Sequence, residues 1–319
     1  MRKRITINEN EDIILNVAFE KFISLKKAMN LSKDTIEYYE GCYKYFTNFT
    51  TTEINCNEIN EDTVLNYILY LRDNNPKIKD TTINAYLRGL RAILNFCMEK
   101  GYMNNFTIRL IRAEKQIKET YTDQELEKLL VKPNINECAF SEYRNWVMTC
   151  YLLGTGNRSR TVINLRIGDI DFFNQEIKLK TVKNNRQYVI PLSGTLSKTL
   201  AEYLEYRKGD TDDYLFCNTY GEQLKKDSLT TSIERYNKRR GVSKTSVHLY
   251  RHTFAKKWIL NGGDIFRLQK ILGHSSIEIV KEYVNMFGVD LQKNFENFNP
   301  LDNMEVMKKE KQVIKMKKL

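Results

Sequence analysis

The chain contains three histidines, His248, His252 and His274, and all three fall within a window of 27 residues. They sit in two short blocks, His248-Leu249-Tyr250-Arg251-His252-Thr253 and Leu272-Gly273-His274-Ser275-Ser276. Tyr283 follows nine residues after His274. Upstream, Gly154-Thr155-Gly156-Asn157-Arg158 sets an arginine just past a glycine-hinged turn, and Lys183 stands eight residues before Pro191. Two arginines can make bidentate contacts to phosphate oxygens without losing their charge. Histidines and a lysine add donors that also transfer protons. A tyrosine hydroxyl attacks only when activated, because its free pKa is about 10, and nearby cations are expected to lower that value. Such a set suits phosphoryl transfer through a covalent phosphotyrosine. The cations would stabilise the transition state by preorganised electrostatics, with no metal.

Taken singly, each residue has a plainer reading. A tyrosine on an amphipathic helix, one of 19 in the chain, is usually core. An arginine after a glycine turn is usually a surface residue, and a turn lysine is usually solvated. His248 and His252 have the i, i+4 spacing of a metal pair. Arg251 between them, and the lack of an HExxH glutamate or a cysteine pair, argue against zinc. His252 reads instead as a packed, hydrogen-bonded histidine that supports the site. The Gly154-Thr155-Gly156 run lacks the Lys-Ser/Thr ending of a phosphate loop.

In this order and spacing, the Thr155-Gly156-Asn157-Arg158 block, the His248–His252 block and the Leu272–Ser276 block with its following tyrosine resemble the tyrosine recombinase family, the phage-integrase-type site-specific recombinases. The resemblance is strongest over residues 122–290. It implies that Tyr283 attacks the scissile phosphate and keeps a 3′-phosphotyrosyl link, while Arg158 and Arg251 clamp the non-bridging oxygens. His248 would transfer a proton with the nucleophile, and His274 would hydrogen-bond the phosphate. Lys183 would protonate the departing 5′-oxygen from a β-hairpin, with Lys180 and Arg186 close by and the hairpin register choosing among them. The ester keeps the energy of the cut bond, so religation needs no ATP; neither a divalent ion nor another cofactor is implied. Two positions depart from the family pattern. Thr161 stands where an acidic residue usually supports the cationic cluster, leaving Asp169 and Glu278 as candidate replacements, and Tyr250 stands where leucine often precedes the second arginine.

These residues need elements to hold them. Ile13 to Leu25, a helix opened by Ser32, one started by Asn60, and a long one capped by Asp80 and running toward Gly101 make a small helical bundle. Its faces carry Lys26, Lys27, Lys33, Lys44, Arg88 and Arg91. Residues 112–121 are polar and read as a linker. Thr122-Asp123-Gln124-Glu125 is a helix start that opens a second domain. There, Trp146 to Leu153 is an apolar helix stopped by Gly154-Thr155-Gly156. Ile177, Leu179 and Thr181 alternate with lysines as in a half-buried strand. Lys183 to Arg186 is a turn, Tyr188-Val189-Ile190 is the return strand, and Tyr214-Leu215-Phe216 could add another. A helix near 249–260 ends at Gly262-Gly263, one runs from Asp264 to Gly273, and a third follows Ser275-Ser276, with Ser275 and Glu278 at capping-box spacing.

The whole is expected to be mainly α with a small antiparallel β-sheet, arranged as a two-domain clamp on duplex DNA. A helical core DNA-binding domain spans 1–111, the linker 112–121, and the catalytic domain 122–299. The Lys-rich tail at 300–319 could dock on a neighbouring protomer. With 319 residues, two domains match the usual domain size of roughly 100–200 residues. A net charge of +11 suits a polyanionic partner. Six dispersed cysteines with no CxxC pair read as reduced thiols in a cytoplasmic protein. The basic amino terminus leads into Glu9-Asn10-Glu11-Asp12 and not an apolar stretch, so it is no secretory signal. No apolar run reaches the length of a membrane span. The implied working unit is a homotetramer on two recombination sites, with a directionality factor or DNA-bending protein as conceivable helpers. Two alternatives stay open: a type IB topoisomerase-like enzyme that relaxes DNA, and a catalytically weak DNA-binding accessory protein.

Overall fold

The computed structural model describes residues 13–113, 119–180, 187–274, 276–287, 296 and 299–301. Lys183, Thr181, Ser275, the turn at 183–186 and the tail from 302 onward lie outside the described residues. The chain divides into two compact units, Met1–Gln116 and Ile117–Leu319.

In the first unit, α1 (Leu15–Ala28), α2 (Lys33–Thr47), α3 (Glu61–Asn74) and α4 (Asp80–Glu99) form a helical bundle. Leu15, Ala18 and Phe22 recur at helical spacing and are fully buried; Ile83, Leu87, Leu90, Leu94 and Cys97 do the same on α4. Each large apolar side chain buried in this way contributes about 1.5–3 kcal/mol relative to exposure. Aromatic pairs fill the space between helices, with Phe19 stacked on Tyr43 at 3.8 Å and Phe46 edge-on to Tyr67 at 5.1 Å. Asn60 starts α3 with a reciprocal cap: its side chain accepts from the Thr63 N–H at 3.0 Å, and the Thr63 hydroxyl accepts from the Asn60 N–H at 3.2 Å. Asp80, expected as a cap, is instead the first residue of α4, and Lys79 holds the extended cap position. The Asp80 carboxylate pairs with Arg72 at 3.0 Å while keeping its favourable place by the helix N-terminus.

The second unit contains α5 (Asp123–Leu130), α6 (Phe140–Thr155), α7 (Ser159–Asn164), β1 (Ile170–Asp171), β2 (Glu176–Lys180), β3 (Gln187–Pro191), α8 (Gly194–Arg207), α9 (Lys226–Arg239), α10 (Val247–Leu260), α11 (Ile265–Leu272) and α12 (Glu278–Phe287). The three strands form an antiparallel sheet in the order β1-β2-β3, with Ile177 opposite Ile190 and Leu179 opposite Tyr188. Ile177, Leu179 and Ile190 are buried, as the alternation requires. The fold is thus mainly α with a small antiparallel sheet. Tyr214-Leu215-Phe216 is no strand: a single bridge joins Tyr214 to Arg166, while the buried Leu215 gives its N–H to Leu165 O and its carbonyl to the Tyr203 hydroxyl. Helix α6 continues through Gly154, and Gly156 alone ends it, in the left-handed region at φ +62. The thiols of Cys42, Cys56, Cys97 and Cys217 are buried and unbridged. No helix among the described residues is long and apolar enough to cross a membrane.

A buried polar triad fixes the start of α10. Tyr250 donates to Asn237 Oδ1 at 2.9 Å, and Asn237 Nδ2 donates to the Tyr121 hydroxyl at 2.9 Å and to Lys244 O at 2.9 Å. The Tyr121 and Tyr250 rings lie 4.6 Å apart. Tyr250 therefore has a structural reason to stand beside Arg251. The Thr253 hydroxyl, one turn on, accepts the Tyr121 N–H at 2.9 Å.

Candidate active site

Four segments supply the side chains. After the left-handed turn at Gly156, Asn157 is buried and donates to the Tyr151 hydroxyl at 2.7 Å. That anchor sets Arg158 at the N-cap of α7. A Cβ on Gly156 would stand 2.7 Å from both Leu272 Cδ2 and Phe254 Cδ1, so only glycine lets this turn approach α10 and the end of α11. Helix α10 carries His248 in its first turn, then Arg251 and His252. Helix α11 stops at Gly273, φ +60, where the His274 N–H reaches back to Gln269 O at 3.0 Å. Helix α12 brings Tyr283, which packs with Ala255, Ile259, Leu268, Leu272 and Val280 in a small core.

Arg251 is 5% exposed and held mainly by backbone. It donates to Gly156 O at 2.8 Å, to Leu272 O at 2.8 Å and to His274 Nε2 at 2.5 Å. Because a guanidinium only donates, His274 Nε2 accepts, which places a neutral imidazole's proton on Nδ1. Arg158 Nη1 reaches the same loop, at 3.4 Å from Leu272 O and 3.3 Å from Gly273 O. The two guanidiniums therefore share one backbone carbonyl. The Tyr283 hydroxyl lies 2.8 Å from His252 Nδ1, and the phenol is 2% exposed.

The electrostatics tie these groups together. Burial, then the neighbouring Arg158, pushes Arg251 down to about 10, and Tyr283 and Tyr188 pull the other way. Burial, then Arg251, Lys226 and Arg158, holds the His248 imidazole below its usual 6.5. For Tyr283 the cations were expected to win. Burial wins instead: it holds the phenol above 10, against the opposing pull of Arg251 and Arg158.

Arg158, Arg251, His274 and Tyr283 thus come together within one unit, with His252 on the phenol. His248, in the first turn of α10, keeps much of its surface open to solvent while the side of its imidazole toward the arginines is desolvated. Thr161 is half-buried in α7, its N–H bonded to Arg158 O at 2.9 Å. Asp169 accepts the Arg166 N–H at 2.8 Å in its own turn, and Glu278 is an exposed side chain paired with Lys281 at 2.8 Å. The backbone carbonyl oxygens of Gly156 and Leu272 accept from the Arg251 guanidinium. Tyr188, which the sequence reading gave only as strand, lies beside this cluster, its hydroxyl approaching Gly273. Its place opposite Leu179 on the inward face, at the end of β3 nearest the hairpin, is the available signal.

In the first unit, Lys27, Lys44, Arg88 and Arg91 are exposed, and Lys26 lies half-buried with its ammonium 5.1 Å from the Phe22 ring centroid. Among the described residues none of these five is in an ion pair.

Residues 119–287 match the phage integrase family, and residues 14–115 match the phage integrase SAM-like domain. Tyrosine recombinase XerC of Staphylococcus aureus is 25% identical over 303 residues, which cover 92% of this chain and 97% of that protein. Tyrosine recombinase XerD of Staphylococcus saprophyticus is 25% identical over 291 residues, covering 88% and 96%. Among solved structures, the XerH site-specific recombinase bound to palindromic difH substrate, a post-cleavage complex, matches with a TM-score of 0.70 at 23% identity, covering 89% of this chain and 83% of that one. A lambda integrase dimer bound to a COC′ core site matches with a TM-score of 0.69 at 16% identity, covering 88% and 80%. These structures share the fold. The chain belongs to the phage integrase family of tyrosine-type site-specific recombinases.

Proposed function

We propose that this protein cuts and rejoins DNA strands at specific recombination sites through a 3′-phosphotyrosyl link on Tyr283, without metal or ATP. The observation that carries the reading is the convergence of one phenol, two guanidiniums and two imidazoles contributed by α7, α10, α12 and the turn after α11. Arg158 and Arg251 neutralise the non-bridging oxygens, exchanging backbone carbonyls for phosphate oxygens. His274, already seated on Arg251, adds a hydrogen bond. The phenol passes its proton to His252 as the Tyr283 oxygen bonds to phosphorus and the bond to the 5′-oxygen breaks. His248, held neutral beside the arginines, is a second group able to move a proton. The role of Lys183 as acid for the leaving 5′-oxygen rests on the family resemblance. Attack by another strand's 5′-hydroxyl on the ester reverses the step.

Residues 1–111 serve as the DNA-binding domain, 122–299 as the catalytic domain, and the tail at 300–319 docks on a neighbouring protomer. The working assembly is a homotetramer on two DNA sites. The named XerC and XerD relatives, and the lambda integrase tetramer solved on a Holliday junction, support this reading. The test uses a nicked suicide substrate. Wild type forms a covalent adduct in the presence of a chelator, and Tyr283→Phe binds the same DNA without forming one. Adduct formation by Tyr283→Phe overturns the nucleophile assignment.

A further inference from the structure

We propose that Tyr188 is an additional phosphate-binding group of this site, donating a hydrogen bond from its hydroxyl to a non-bridging oxygen beside Arg158 and Arg251; the assignment rests on the strand-cleavage reading above.

Tyr188 faces the same side of the sheet as the buried Ile190, and its ring packs on the main core of the second unit. Its oxygen extends past that core to the end of α11. A Cβ built on Gly273 would stand 3.0 Å from the Tyr188 oxygen and 3.8 Å from Arg158 Nη1. The phenol and the guanidinium therefore border one small space, kept open because residue 273 has no side chain. Arg158 and Arg251 both act on the phenol, which burial otherwise pushes above its ordinary value. The group stays protonated, and so remains a donor, at neutral pH.

Among the described residues, the hydroxyl differs in its lack of a hydrogen bond from four other phenols of the unit, though not from Tyr143, whose buried oxygen also has none. Tyr121, Tyr203, Tyr236 and Tyr250 each use their oxygen in a hydrogen bond to a neighbouring side chain or carbonyl. Among the described residues, no hydrogen bond engages the Tyr188 hydroxyl. The Tyr188 oxygen is not among the sealed, unpartnered polar atoms of the unit, so it stays open to a ligand beside Arg158. An anion held between the two arginines is such a ligand.

The test compares wild type with Tyr188→Phe, which keeps the ring and removes only the oxygen. The thermal midpoint should be unchanged, while the rate of covalent adduct formation on a nicked suicide substrate, measured with the DNA saturating, falls about 10- to 100-fold. The second readout uses the two methylphosphonate stereoisomers of the scissile phosphate. The deficit should vanish on the isomer that lacks the oxygen contacted by Tyr188 and persist on the other. Cleavage by Tyr188→Phe at the wild-type rate overturns the proposal, as does an equal deficit on the phosphodiester and both isomers, the mark of a merely structural role. Absence of any adduct from wild type overturns the strand-cleavage reading and this assignment with it.

Discussion

The Tyr283 hydroxyl sits 2.8 Å from Nδ1 of His252, whose helix also carries His248 and Arg251. The histidine on the proposed nucleophile is therefore the second of its block. With the Tyr283 pKa above 10, the phenolate fraction at pH 7 is about one part in a thousand or less, so a proton acceptor matters most at neutral pH.

Replacing His252 with glutamine should slow adduct formation by about 100-fold at pH 7. The deficit should shrink steadily as pH rises toward 10, because hydroxide then generates the phenolate unaided. Single-turnover cleavage across pH 6.5–9.5 measures this, and an equal deficit at both ends would leave His252 a purely positioning role. Linkage has a matching sign: a folded pKa raised above the unfolded value stabilises the protein below about pH 10, and that contribution is lost as pH climbs through the folded pKa.

Gly273→Ala should destabilise the second unit by about 1–2 kcal/mol, since an L-residue must adopt φ +60 there. The new methyl would also press on Tyr188 at 3.0 Å. Denaturation of Gly273→Ala, Tyr188→Phe and the double variant should show coupling, with part of the cost recovered once the phenol oxygen is gone. Strict additivity would count against the contact.

Asn237→Ala leaves Tyr121, Tyr250 and the Lys244 carbonyl without their shared partner. A loss of about 2–5 kcal/mol in unfolding free energy is expected. Because the triad seats α10, cleavage should fall along with stability. A loss under about 1 kcal/mol would mean that water replaces the amide.

Arg88→Ala and Arg91→Ala should each weaken DNA binding without changing which sequence is preferred. The slope of log affinity against log salt should drop by about one for each phosphate contact removed. An unchanged slope would remove these residues from the DNA-binding face.

Much of the site was legible because its residue types are scarce: three histidines in two blocks leave few ways to build a cluster. Glycine punctuation was readable too, since Gly156 and Gly273 end helices in the left-handed region. What pattern could not carry was tertiary. Periodicity cannot say that His252 faces α12, or that burial outweighs two arginines at Tyr283. Tyr188 was hidden for the same reason, as alternation on a strand marks a side chain as inward without saying how far past the core it reaches. Phe216 and Leu215 imitated a strand because they are wholly buried, yet the backbone partners of Leu215 are the Leu165 carbonyl and the Tyr203 hydroxyl.

Tyr283 has only 2% of its surface open to solvent. A phosphorus atom with its four oxygens is much larger than a water molecule, and in-line attack needs it directly in front of the phenol oxygen. On the reading that Tyr283 attacks the scissile phosphate, cleavage requires this packing to open first. The same packing that stabilises this unit would then also work as a safety catch on its chemistry.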